Sequence, residues 1–133
     1  MKTILLIGST GFVGSYLKKK LKKTYKLICV NKKKNFDISN FKKVKILLDR
    51  EIDIIINLSG QVSSKKNMLR TIVGGNQNII KALKDKKIKP LVYYISTTLV
   101  YGFSNRSLDE NSVLKPFLDY SKIKRISELH YLK

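Results

Sequence analysis

Apolar positions follow two periods along this chain. Thr3-Ile4-Leu5-Leu6-Ile7, Lys26-Leu27-Ile28-Cys29-Val30, Ile52 to Leu58, and Leu91-Val92-Tyr93-Tyr94-Ile95 are short apolar runs of strand length, bounded by Gly, Asn, Lys or Pro. Between them apolar residues recur every three or four positions: Phe12, Val13, Tyr16, Leu17 and Leu21; then Phe41, Val44, Leu47 and Leu48; then Ile79, Ile80 and Leu83; then Ile123, Ile126, Leu129 and Leu132. These stripes predict core-facing helices: one from Phe12, a short one capped by Ser39 or Asn40, one over Met68 to Lys86, and one from about Asp119. Gly74-Gly75 leaves the start of the third open. Phe36-Asp37-Ile38 reads as a brief extended piece and 96–117 as a loop. The nearly continuous run from Ile52 marks a central strand covered on both faces, and Leu91 to Ile95 reads as another buried strand. Alternating strands and helices with short connections predict an α/β fold, a doubly wound parallel sheet (Rossmann-like), with ligands at the carboxyl ends of its strands.

Composition narrows the class. A chain of 133 residues with 43% hydrophobic content suits one domain spanning 1–133, and no apolar run reaches the length of a membrane span. The first apolar run ends in glycines after Ile7, so the N-terminus reads as strand rather than leader and the expected location is the cytoplasm. Cys29, the one cysteine, is expected to be a buried structural thiol. The net charge of +19 invites a nucleic-acid reading, but of the 28 basic residues only Arg50, Arg70, Arg106 and Arg125 are arginine. The lysines are spread through every segment with no aromatic-interleaved stripe; clusters at 18–23, 32–34 and 84–89 read as solvated faces. Such a surface implies no specific nucleic-acid partner, only polyanion binding at low salt.

Candidate chemistry begins where the first strand ends. Gly8-Ser9-Thr10-Gly11-Phe12-Val13-Gly14 spaces its glycines by three between a strand and a helix start. That pattern lets the backbone turn sharply, approach a ligand closely and pack the new helix on the strand just left; the helix N-terminus then faces a pyrophosphate. The implied ligand is a dinucleotide. Near the other end Tyr120 and Lys124 are four apart, which puts both on one face of a helix. An ammonium beside a phenol favours phenolate and suits a general acid/base role. His130 has no metal-ligating partner at suitable spacing and reads as surface or packing.

Six segments, in order, make the chain resemble the extended short-chain dehydrogenase/reductase family, in particular its NAD(P)-dependent epimerases and dehydratases of nucleotide sugars. Gly8, Gly11 and Gly14 match its GxxGxxG, and Asp37-Ile38 its adenine-contact segment; Asp37 reads equally well as a helix cap. Asn57-Leu58-Ser59-Gly60 resembles the strand-end motif beside the dinucleotide, and the run from Gly75 to Ala82 resembles GTxNLLxA. Ser96 to Gly102 matches SSxxVYG, and Pro116 to Lys124 matches PxxxYxxxK. The resemblance implies a cofactor-binding set of Gly8, Thr10, Gly11, Phe12, Val13, Gly14, Asn31, Lys32, Asp37, Ile38, Leu58, Ser59 and Gly60, with Tyr120 and Lys124. It implies Thr97, Tyr120 and Lys124 as the catalytic set: Thr97 bonds the substrate hydroxyl, Tyr120 takes its proton, and Lys124 also holds the nicotinamide ribose. No metal is implied. The substrate implied is a nucleotide sugar, oxidised to a keto-sugar before epimerisation or loss of water.

Departures qualify this. Asn31, followed by Lys32, Lys33 and Lys34, stands where the family carries an acid for the ribose, which leans the cofactor from NAD towards NADP. Ile72 replaces a common asparagine, and Ile123 a small residue. The chain stops at Lys133, soon after the helix carrying YxxxK, whereas the family's chains continue into a substrate lobe. Two readings follow: a partial or split enzyme completed by a second copy or a complementing C-terminal chain, and a non-catalytic dinucleotide-binding module or decayed fragment.

Overall fold

A computed structural model describes residues 1–32, 36–60 and 62–132. Its four strands, β1 (Thr3–Ile7), β2 (Lys26–Val30), β3 (Ile54–Asn57) and β4 (Leu91–Tyr94), form one parallel sheet in the order β2-β1-β3-β4. The helices are α1 (Phe12–Leu21), α2 (Phe41–Leu47), α3 (Lys65–Met68), α4 (Gly75–Lys86) and α5 (Asp119–Tyr131). The chain steps from β1 to β2 on one side and returns to β3 on the other. Loops leaving β1 and β3 therefore diverge at their carboxyl ends, where open α/β sheets bind ligands.

Strand parity assigns the faces. Leu5, Ile7, Ile28, Ile55 and Val92 point to the side where α2 and α4 supply Val44, Leu47, Ile79 and Ala82, and these residues form the main core. A smaller cluster of Met68, Ile72 and Ile123 joins α5 to the segment before α4. On the opposite face α1 packs on β1 and β2, so the sheet is doubly wound as expected.

Several expected stripes are oriented differently. In α1 the buried residue is Gly14, while Phe12 (96% exposed), Val13 and Tyr16 face outward. A Cβ at Gly14 would collide with the carbonyl oxygen of Gly8, so the helix rests on its own glycine and the stripe overhangs the contact. In α5 the inward residues are Ser121, Ile123, Lys124 and Ser127, whereas Ile126, Leu129 and Leu132 are exposed. The helix is rolled to bring polar groups to carbonyls of other elements, Ser127 Oγ donating to Ile72 O (3.3 Å) and Lys124 Nζ to Ile95 O (2.5 Å), while Ser121 Oγ donates within the helix start to Leu118 O (2.9 Å). The predicted 68–86 helix begins earlier, at α3, and runs through a π-helical turn, Leu69–Gly74, into α4, so both glycines lie inside it. Asn40 caps α2 by accepting from Lys43 N–H at 3.1 Å. The expected loop after β4 contains a 3-10 turn, Thr98–Tyr101, and Cys29 is half-buried rather than buried.

β3 is central, as its apolar run predicts, but β4 is an edge with one bare face rather than a buried strand. Leu91, Tyr93 and Ile95 alternate outward on the α1 side and are exposed, in a strand with no proline or lysine to blunt its free backbone edge. The isolated chain is expected to self-associate through this strand, and Tyr93→Lys to shift it towards monomer, in sedimentation velocity over a concentration series. A wild-type chain that stays monomeric throughout would contradict this.

Candidate functional site

The glycines of the first turn have three separate tasks. Gly8 has φ +84°, a left-handed conformation, and donates its N–H to Val30 O at 2.9 Å, tying the turn to the end of β2. Gly14 permits the close helix contact described above. Gly11 needs neither: its φ is −71°, and an added Cβ would meet only Gly8 O at 3.5 Å. Its missing side chain leaves space on the cleft side. No side chain caps α1, so the N–H groups of its first turn, from Phe12, Val13 and Gly14, remain for a bound anion.

That turn forms one wall of a cleft of about 520 Å³ at the carboxyl ends of β1, β2 and β3. Of the expected residues, Gly8, Thr10, Gly11, Asn31, Lys32, Asp37, Ile38, Leu58, Ser59 and Gly60 line it; the side chains of Phe12 and Val13 lie outside, in a shallow depression with Tyr16 and Lys19. Lys33 and Lys34 fall outside the described residues. Asn31 is buried, its amide donating to Ser9 Oγ at 3.4 Å. Asp37 accepts from Ser39 N–H (2.9 Å) and faces Arg70 Nη1 at 3.4 Å. Burial alone would raise its carboxyl, but the Ser39 hydrogen bonds and the charges of Arg70 and Lys32 outweigh it and hold the group below its ordinary value. Because Asn40 caps α2, Asp37 is not needed there.

The segment Asp37-Ile38 is fixed from behind by α4. Asn78 Nδ2 donates to Ile38 O at 2.9 Å, and a Cβ at Gly75 would overlap the Ile38 side chain. Glycine and asparagine three apart on one helix face thus clamp this strip of cleft wall. Polar residues at helical spacing, Asn67, Arg70 and Thr71, also line the cleft together with Ser63, and Arg70 Nη1 reaches the Asp37 segment, donating to Ser39 Oγ at 2.8 Å. They were absent from the sequence-derived set, although their shared face was readable.

Beneath Ser59 and Gly60 lies a buried amide pair. Asn57 Nδ2 donates to Asn76 Oδ1 at 2.7 Å, and Asn57 Oδ1 accepts from Ser59 N–H (3.0 Å) and Ser59 Oγ (2.6 Å). Asn76 Oδ1 also accepts from Tyr131 OH (2.6 Å), and its Nδ2 donates to Ile72 O (2.6 Å). Both asparagines are fully enclosed. The Ile72 carbonyl, in the π-helical turn, takes the Gly75 N–H and accepts from the Asn76 and Ser127 side chains as well, so the irregular helix is tied at one oxygen to α4 and α5.

The catalytic candidates meet at the far rim. A Cβ at Gly60 (φ +150°) would lie 3.2 Å from Lys124 Nζ and 3.8 Å from Tyr120 OH, so both polar tips converge there. Lys124 is 2% exposed; its Nζ donates to Ile95 O at 2.5 Å. Burial lowers its ammonium to about 8 against the opposing pull of Glu128, which is held by Ser96 Oγ and Arg125. Burial also raises the Tyr120 phenol, opposite in sign to the effect expected of a neighbouring ammonium. Thr97 Oγ1 accepts from Leu99 N–H at 3.3 Å, opening the 3-10 turn beside α5.

The family model for the NAD dependent epimerase/dehydratase family matches residues 4–132. The chain belongs to this family. The uncharacterized protein MJ1055 of Methanocaldococcus jannaschii is 27% identical over 96% of this chain and 50% of its own length. Among solved structures, UDP-glucose 4-epimerase from Brucella ovis in complex with NAD superposes with TM-score 0.86 at 20% identity, covering 98% of this chain and 46% of that one. ADP-L-glycero-D-manno-heptose-6-epimerase of Helicobacter pylori gives TM-score 0.83 at 22% identity, covering 98% and 50%. The chain spans about half the length of these relatives. As the family's Rossmann-like fold requires, its cleft opens at the carboxyl ends of parallel strands. Among the described residues no helix is long and apolar enough to cross a membrane.

Asn76→Leu, close in shape, leaves the Asn57 amide and the Tyr131 hydroxyl without their acceptor. It is expected to cost about 3 kcal/mol, at roughly 1–3 kcal/mol per orphaned buried group, measured from urea midpoints.

Proposed function

We propose that the chain is the dinucleotide-binding half of a cytoplasmic, NAD(P)-dependent epimerase, dehydratase or reductase of nucleotide-activated sugars. The observation that carries this reading is the convergence of Lys124 Nζ and Tyr120 OH on Gly60, at the rim of the cleft whose opposite wall is the glycine turn. The cleft suits a dinucleotide: an uncapped helix start, a glycine required by neither φ nor packing, and cationic Lys32 and Arg70 at the far end. Gly8, Thr10, Gly11 and the first turn of α1 would hold the pyrophosphate. Asp37 and Ile38 would meet the adenine, and Leu58, Ser59, Gly60, Tyr120 and Lys124 the nicotinamide side. Bound there, the cofactor supplies reversible hydride acceptance from a carbinol carbon.

Tyr120 takes the hydroxyl proton of that carbon, and Thr97 holds the same oxygen in line. Lys124 supports the phenolate and the ribose; burial of the pair makes each charge dependent on the other. The sugar ketone so formed is reduced again on its other face or first loses water. The cofactor preference is NADP, because Asn31 brings no carboxylate to the end of β2 while Lys32 offers charge to a 2′-phosphate. The sugar pocket and the cover for β4 lie outside these 133 residues, and a second copy or a complementing chain would supply them in the split-enzyme form of this reading. A second reading is a dinucleotide-binding module without catalysis; it binds cofactor equally well and differs in turnover.

In fluorescence titrations wild-type chain is expected to bind NADPH about tenfold more tightly than NADH, a difference of ~1.4 kcal/mol. Gly11→Asp, which puts a carboxylate where the pyrophosphate would lie, is expected to weaken both by about a hundredfold or more. Equal affinity in wild type and Gly11→Asp would remove the dinucleotide reading. Given the completed sugar pocket, Tyr120→Phe is expected to lower hydride transfer by about 10²–10⁴-fold with cofactor affinity unchanged, read as NADPH absorbance with a UDP-, CDP- or dTDP-sugar. Transfer at the wild-type rate would assign the base to another group.

A further inference from the structure

Lys124 has a neighbour that the proposed chemistry does not use. Its Nζ lies 4.3 Å from the centroid of the Tyr94 ring, well within the range of a cation–π contact. Tyr94 is the last residue of β4, so its backbone is fixed by the ladder to β3, where it pairs with Asn57. Its ring stacks on Tyr131 with centroids 5.2 Å apart and planes inclined by 27°. The Tyr131 hydroxyl is in turn bonded to Asn76, which is bonded to Asn57. The ring is therefore held by the strand through its backbone and by the buried amide pair through Tyr131. Lys124 and Tyr131 are seven apart on α5, two helical turns, so that one helix brings both to the same ring.

We infer that Tyr94 is a positioning residue for Lys124, its ring holding the ammonium at the cleft rim between the Ile95 carbonyl and Gly60. A lysine carries a flexible four-carbon stem and a strongly hydrated head, so enclosing it has an entropic and a desolvation cost. The Ile95 carbonyl satisfies one N–H group, and the ring face offers negative potential to the rest of the ammonium without adding a second carbonyl or a carboxylate at the site. From its own helix Lys124 faces Glu128, whose oxygens are taken by Ser96 and Arg125, and Tyr120; from β4 it meets the Tyr94 ring and the Ile95 carbonyl. The ring and the distant amide pair thus fix where the ammonium points before any ligand arrives. The consequence for catalysis rests on the dinucleotide reading above, but the placement does not, and its test uses neither cofactor nor sugar.

The test is lysine side-chain NMR on the full chain, with Lys124 assigned by its loss in Lys124→Met. In wild type the Lys124 Hε protons are expected to be displaced upfield by the Tyr94 ring current; an ordinary chemical shift overturns the proposal. The pH titration of Lys124 in Tyr94→Phe, which keeps the ring, is expected to match wild type. In Tyr94→Leu the midpoint is expected to fall by about one unit, because a contact that favours the charged form is gone. A Leu variant titrating like wild type, or a Phe variant falling as far as Leu, also overturns it. Should Tyr94→Leu not fold, the wild-type ring-current shift and the Phe titration decide the matter between them.

Discussion

The Asn57–Asn76 amide pair is the contact on which the rest of the site depends. Two primary amides with no exposure to water sit between the end of the central strand and the helix that crosses above it. Buried amides are tolerable only when their donors and acceptors are paired, and here the pairing reaches in four directions: to Ser59 at the cleft, to Ile72 in the π-helical turn, to Tyr131 on α5, and between the two asparagines. An apolar pair of similar volume would fill the space yet leave the turn after β3 free to wander. Polar pairing is directional and sets it.

From that centre the geometry of both ends of the cleft follows. On one side, α4 continues from Asn76 to Asn78, whose amide holds Ile38 O, while Gly75 admits the Ile38 side chain; the Asp37-Ile38 wall is thereby fixed relative to the glycine turn. On the other side, Tyr131 carries the network to α5, which delivers Lys124 and Tyr120 to Gly60. A single helical segment from Lys65 to Lys86, interrupted by its π-helical turn, links the two ends. Burial of Lys124 and Tyr120 opposes charge on both, and Glu128 pulls the lysine back towards its charged form.

The opposite face of the sheet is organised far more sparsely. One helix, seated on a glycine, covers β1 and β2, and β4 presents alternate apolar residues to solvent. The asymmetry is consistent with a chain about half the length of the relatives it matches: the face that builds the dinucleotide cleft is densely packed, and the other retains apolar surface.

The amino-acid sequence by itself determined the elements whose physics is local. Short apolar runs marked the strands, Gly8 and Gly14 marked a tight turn and a close helix contact, and the spacing of Tyr120 and Lys124 placed them on one helix face. It could not orient α5, because its apolar stripe and its inward face of Ser121, Lys124 and Ser127 compete, and the winner was decided by the Ile72 and Ile95 carbonyls lying opposite. It could not place Gly74-Gly75 inside a helix, since propensity disfavours glycine there and the reason for Gly75 is an isoleucine thirty-seven positions earlier. Nor could it join Asn57 to Asn76 or Tyr94 to Lys124. Those contacts depend on distances between elements remote in the chain, and only the folded packing of sheet against helices sets them.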